Sequence, residues 1–222
     1  MKKIDLFLIA ISVFLAFLFI YYPEIDIKFS SIFYKNGFYL KDSFIAKSIY
    51  KATLIIITLF ATLTLLLLIF DLVFKRDFFD IKKRVLIYLL TTLILGPGLI
   101  VNIFLKDSFK RARPYQIKEF GGDKKFTPAF VLSNQCKKNC SFTSGHAAAA
   151  FYFLALVPLF KKRETKILVA FLSILWGSLV GIVRIIQGGH FLSDVIFSAF
   201  IVYFIAKICY KILFRETDGK TV

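Results

Sequence analysis

The chain has 222 residues, 58% of them hydrophobic, with 28 Phe against one Met and one Trp, and a formal net charge of +16. That apolar content exceeds what the core of a soluble domain of this length takes up, so a soluble globular fold is excluded and a membrane chain is expected. The positive charge suits a protein beside anionic lipid, and with no basic soluble domain to hold it, nucleic acid is excluded as a partner.

Uncharged or nearly uncharged runs of the length that crosses a hydrocarbon layer of roughly 30 Å recur at 6–22, 52–70, 85–105, 147–160, 167–183 and 195–214. They predict an all-α membrane protein, a six-helix transmembrane bundle with external loops, forming one domain over 1–222 without internal repeats. Tyr21, Tyr22 and Pro23 make a poor cleavage site, so the first run reads as a retained helix and not a signal peptide. Between runs one and two, Leu40, Phe44, Ile45 and Ile49 recur at helical spacing among Lys41, Asp42, Lys47 and Lys51, which predicts an amphipathic helix lying in the membrane surface within 23–51. Gly121 and Gly122 predict a turn in the long loop after run three. The fourth run is short unless its helix begins near Ser141, and the sixth carries Lys207 and Lys211, which snorkel towards a headgroup layer.

Lysine and arginine are shared equally between the two faces of such a bundle, so the count alone does not orient it. Short dense clusters beside span ends, at Lys2 and Lys3, Lys75 to Arg84, Lys161 to Lys166 and from Lys207 onward, place both termini in the cytoplasm and the long loops outside. In that external loop Cys136 and Cys140 sit four apart. An oxidising compartment favours a disulfide; a zinc site lacks two further ligands nearby, and free thiols are the remaining alternative.

Three clusters carry chemistry. KDSFKRARP opens the long loop with Lys106, Arg113 and Pro114; TSGH precedes the fourth run; RIIQGGHFLSD joins runs five and six with Arg184, His190 and Asp194. In any alternating six-helix bundle the end of run three, the start of four, the end of five and the start of six share one face, so the clusters meet whichever way the protein is oriented. Lys106, Arg113 and Arg184 supply donors suited to phosphoryl oxygens. The Ser144 and Gly145 backbone N–H groups at a helix start are expected to add an anion seat. His190 and Asp194, at i and i+4, are expected to share a hydrogen bond that leaves the other imidazole nitrogen nucleophilic, with His146 as general acid. Lys110, Arg111, Lys118, Lys124 and Lys125 read as interfacial anchors.

These residues resemble the type 2 phosphatidic acid phosphatase superfamily, whose pattern is K-x6-RP, then PSGH, then SR-x5-H-x3-D. Lys106, Arg113 and Pro114 match the first part, Ser144, Gly145 and His146 the second, and Arg184, His190 and Asp194 the third. Thr143 stands where the family usually has proline and Val183 where it usually has serine. The resemblance implies hydrolysis of a phosphomonoester without metal or other cofactor, through a phosphohistidine on His190, with His146 as acid and then base. It places the chemistry at 106–146 and 184–194.

Within the superfamily, GPGLIVNIFLKDSFKRARP, FGGDKKFTPAF and CKKNC are similar to the bacterial lipid A phosphatases, most of all the branch acting on the 4'-phosphate. That likeness implies lipid A as the phosphorylated lipid substrate, at the periplasmic face of a bacterial inner membrane. A lipid A 1-phosphatase, a phosphatidylglycerophosphate phosphatase and an undecaprenyl diphosphate phosphatase are the alternatives. A phospholipid-binding or transport protein, which needs no nucleophilic histidine, is the reading of a different class. Polar residues inside the runs, such as Thr58 and Asn102, are too sparse to line a channel.

Overall fold

The computed structural model describes residues 3–74 and 82–214. Within them the chain is helical, with only isolated bridges pairing Tyr34 with Phe38 and Ile117 with Lys124. In chain order the helices are α1 (Lys3–Tyr21), α2 (Glu24–Ser31), α3 (Phe44–Phe74), α4 (Lys83–Leu93), α5 (Lys106–Phe109), α6 (Gly145–Phe151), α7 (Arg163–Ile186) and α8 (Leu192–Phe214). Lys2, Lys75, Arg76 and the basic tail beyond Phe214, used above to orient the bundle, lie outside the described residues.

Among the described residues, five helical stretches are long and apolar enough to cross a membrane: Lys3–Tyr21, Phe44–Phe74, Lys83–Gln116, Arg163–Ile186 and Leu192–Phe214. The fourth expected run is shorter, Gly145–Leu159. It starts as the 7 residues of α6 and tightens into 8 residues of 3-10 helix at Tyr152–Leu159. Phe14, Leu59, Leu66 and Phe171 stand outward and exposed, an apolar coat suited to lipid and not to water.

The third stretch is not a regular α-helix. Pro97, between Gly96 and Gly98, has no N–H to continue the ladder, and Ile94–Leu105 widens into a π-helix before α5 resumes. The Asn102 side chain donates to the Pro97 carbonyl at 2.8 Å, a side-chain bond that ties the irregular turn to itself.

The expected surface helix within 23–51 takes another form. Only Glu24–Ser31 is a separate short helix, 32–43 is turns, and Phe44 to Lys51 are the first turns of the 31-residue α3. The apolar spacing at Phe44, Ile45 and Ile49 therefore belongs to a span that begins earlier than its uncharged run, since Lys47 and Lys51 are tolerated near its end.

α4, α6 and α8 enclose the main core, where Tyr88, Val101, Ala148, Tyr152 and Val202 are fully buried. Two reciprocal bonds clamp it: the Tyr88 hydroxyl donates to the Ala155 carbonyl at 2.8 Å, and the Tyr152 hydroxyl to the Leu89 carbonyl at 2.9 Å. Small residues allow the helices to approach. A Cβ on Gly177 would stand 2.1 Å from Phe151, and one on Gly181 2.2 Å from Val195, so α7 lies against α6 and α8 only because both are glycine. This packing brings α5, the start of α6, the end of α7 and the start of α8 to one end of the bundle.

Candidate active site

At that end lies a cavity of about 340 Å³. Lys106, Arg113, His146, Arg184 and His190 line it, as do Leu54, Ile57 and Leu93 on its apolar side. The three sequence clusters thus meet in space, one wall cationic and one hydrocarbon.

His190 is 1% exposed and lies between α7 and α8, not on a helical turn. Its Nδ1 is 2.8 Å from the Ser141 carbonyl and 3.5 Å from Asp194 Oδ2. A carbonyl oxygen only accepts, so Nδ1 carries the ring proton and Nε2 keeps its lone pair. The expected bond between His190 and Asp194 is therefore replaced by one to Ser141, because α8 begins only at Leu192. Asp194, in the first turn of α8, instead accepts from the Phe191 N–H at 2.8 Å and the Ser141 hydroxyl at 2.5 Å, fixing the helix start and the residue that holds the histidine. Burial first, then the nearby Arg113 and Arg184 charges, push the His190 pKa well below the ordinary imidazole value, which keeps the ring neutral.

His146, the second residue of α6, stacks on the Tyr50 ring with centroids 4.2 Å apart. Its Nε2 is buried and meets no hydrogen-bond partner among the described residues. Ser144 caps α6, its hydroxyl accepting from the Ala147 N–H. Its own N–H is taken by the Asp194 carbonyl at 3.3 Å, and Ser144 does not line the cavity. The expected anion seat on the Ser144 N–H is therefore occupied by protein, whereas Gly145 does line the cavity. A Cβ on Gly145 would lie 2.2 Å from Asn102 Oδ1, so the glycine lets α6 start against the π-helix.

The cations have neutral partners. Lys106 Nζ donates to Asn139 Oδ1 at 3.2 Å, and Arg113 reaches the same oxygen at 2.8 Å and the Asn139 carbonyl at 3.0 Å. Arg184 donates to the Gln187 side-chain oxygen, lies 5.0 Å over the Tyr50 ring, and keeps a buried Nε that meets no partner among the described residues. None of the three forms an ion pair among the described residues. Amide oxygens orient the donors without neutralising them, so the site retains a positive field suited to an anion. Cys136 and Cys140 are joined as a disulfide, closing the small loop that carries Asn139.

Arg111 corrects its reading as an interfacial anchor. It is 1% exposed and bonds Asp26 at 2.8 Å, Asp194 at 2.7 Å and Ser193 at 2.9 Å, with the Phe191 ring 4.2 Å from its guanidinium carbon. Within the basic run KRAR nothing distinguishes it from its neighbours. The usable signal was the acid Asp26 between two isoleucines, a charge that needs a buried partner. Tyr50 and Asn139 were also missed, since both are uncharged and stand beside lysines, Tyr50 before Lys51 and Asn139 after Lys138, that draw attention away from them.

Residues 84–218 match the PAP2 superfamily. The chain belongs to the PAP2 superfamily. It is 35% identical over 205 residues, 90% of its length and 91% of the other's, to a protein of Francisella tularensis subsp. novicida named lipid A 4'-phosphatase. A Rhizobium leguminosarum protein of the same name is 41% identical over 110 residues, covering 48% of this chain and 46% of that one. No solved structure matches. The member described here is a membrane-embedded phosphoric monoester hydrolase.

Proposed function

We propose that this hydrolase removes the 4'-phosphate of lipid A, working by phosphoryl transfer to His190 at the periplasmic end of a six-span bundle in the inner membrane. The observation that carries the reading is the set of three cations without carboxylate partners, facing a neutral histidine with a free Nε2. The two relatives named for this activity favour lipid A as the substrate.

Lys106, Arg113, Arg184 and the Gly145 end of α6 take the phosphate oxygens. His190 Nε2 attacks phosphorus, the P–O bond to the sugar breaks, and His146 gives its proton to the departing oxygen. Water then attacks the phosphohistidine while His146 takes a proton from it, and inorganic phosphate leaves. Charge builds on phosphoryl oxygens already surrounded by fixed donors, which lowers the barrier. A donor set of cations repels a metal ion, so no step is routed through one.

The apolar wall formed by Leu54, Ile57 and Leu93 suits a substrate with a hydrocarbon part. With α6 and its 3-10 continuation rising about 26 Å, the short run nearly matches a hydrocarbon layer and serves as the sixth span. The disulfide and the basic residues at the opposite end, Lys82, Lys83 and Arg84 among them, favour a periplasmic site and cytoplasmic termini.

The test is mass spectrometry of lipid A incubated with purified protein in EDTA, wild type beside His190→Ala. Loss of the 4'-phosphate with wild type alone is expected. Loss of the 1-phosphate, or release of phosphate only from phosphatidylglycerophosphate or undecaprenyl diphosphate, would replace the substrate assignment.

A further inference from the structure

Asp26 sits on α2, before the residues matched by the superfamily, yet its side chain ends beside the site. It is 0% exposed. Three donors converge on it: Arg111 Nη2 at 2.8 Å and the Ser193 hydroxyl at 2.5 Å on Oδ2, and the Ser193 N–H at 2.8 Å on Oδ1. Burial first, with the Asp194 charge adding to it, raises the Asp26 pKa above the ordinary carboxyl value, against Arg111 and the Ser193 hydrogen bond, which draw it down. The Arg111 and Ser193 N–H groups can only donate, and the Ser193 hydroxyl completes the set, an arrangement that suits a carboxylate.

From Asp26 the bonds run without a gap to the nucleophile. Arg111 Nη1 donates to Asp194 Oδ1 at 2.7 Å. Asp194 Oδ2 takes the Ser141 hydroxyl at 2.5 Å, and the Ser141 carbonyl holds His190 Nδ1 at 2.8 Å. Two buried carboxylates share one guanidinium, which leaves a net negative charge behind the imidazole while Lys106, Arg113 and Arg184 stand in front of it. As Nε2 attacks, the ring becomes positive, and that rear charge is what offsets the repulsion from the three cations.

We propose that Asp26 is a positioning residue for His190, acting through Arg111, Asp194 and Ser141 to hold the Nδ1 proton in place and to stabilise the positive ring; this inference rests on the phosphatase reading above. Removing the Asp26 charge leaves every phosphate-binding cation untouched. It therefore slows the attack and spares binding.

The experiment is Asp26→Asn in the full chain, purified in detergent, with two readouts. On lipid A in mixed micelles, kcat per folded enzyme is expected to fall roughly tenfold to a hundredfold, the range for residues that orient a functional histidine, with KM unchanged or lower. In chain labelled with 15N-histidine, the His190 Nδ1–H resonance, assigned with His146→Gln, is expected to shift or broaden. Unchanged kcat together with an unmoved resonance overturns the proposal, as does a KM increase that accounts for the whole loss. If wild type hydrolyses no lipid phosphomonoester, the phosphatase reading fails by itself, and the resonance still decides whether Asp26 positions the ring. Should Asp26→Asn not fold, Ser193→Ala removes one donor to Asp26 and keeps both carboxylates; a smaller shift of the same resonance is expected, and none refutes the coupling.

Discussion

Asn139→Asp changes one atom's chemistry without changing the side chain's shape. The amide oxygen now lies 3.2 Å from Lys106 Nζ and 2.8 Å from the Arg113 guanidinium, where it orients both cations and neutralises neither. A carboxylate there becomes an internal competitor for the phosphate. Asn139 is exposed, so the water limit applies: a unit pair near 3 Å is worth about 1.4 kcal/mol, and two pairs together about 2.8 kcal/mol. Each 1.4 kcal/mol is about tenfold, so kcat/KM on a lipid phosphomonoester, and inhibition by orthovanadate, should both weaken about a hundredfold. Asn139→Ala, which removes the orienting oxygen and adds no charge, should lose less. Steady-state kinetics at low salt measure all three proteins. If Asn139→Asp stays within twofold of wild type for both quantities, Lys106 and Arg113 do not bind the transferred phosphate.

The depressed His190 pKa has a sign that can be checked. A ring that stays neutral when folded shows unchanged 15N shifts as the pH falls from about 7.5 to 5.5, whereas an ordinary histidine titrates near 6.5. The unfolded chain takes up the proton that the folded one refuses, so stability contributed by this group is constant above about 6.5 and declines below it. A His190 titration midpoint near 6.5 would contradict the burial argument. Gly145→Ala puts a methyl group 2.2 Å from Asn102 Oδ1, and Asn102 is anchored to the Pro97 carbonyl, so overpacking is expected to cost about 1 to 3 kcal/mol and to displace His146. Thermal inactivation should come earlier and kcat should fall; adding Asn102→Ala should recover part of both losses. A fully active and stable Gly145→Ala would show that α6 does not need that close approach.

Most of the residues that line the candidate site were legible because they lie in charged or histidine-bearing motifs at the ends of apolar runs, and alternation of spans alone brings those ends together. What stayed hidden depends on depth and on partners that sequence spacing does not encode. Arg111 looks like any residue of a basic run until Asp26, far away in the chain, is seen beside it. The i, i+4 spacing of His190 and Asp194 suggested a helical pair, but two glycines and a late helix start put the histidine outside α8, where a carbonyl from Ser141 holds it. The apolar spacing at 44–49 had the right period and the wrong assignment, because a span and a surface helix share that period and only length separates them. Residues 94–105 gave no sign of a π-helix beyond Pro97 and its flanking glycines, since the period of a wholly apolar run cannot be read.

Phosphoryl transfer to His190 is the centre of this scheme, and trapping the intermediate tests it most directly. Enzyme mixed with lipid A and quenched in strong alkali after milliseconds should carry one phosphate on the peptide containing His190, labile to acid and absent from His190→Ala. Turnover by wild type with no phosphate on His190 at any time, or continued turnover by His190→Ala, would contradict it.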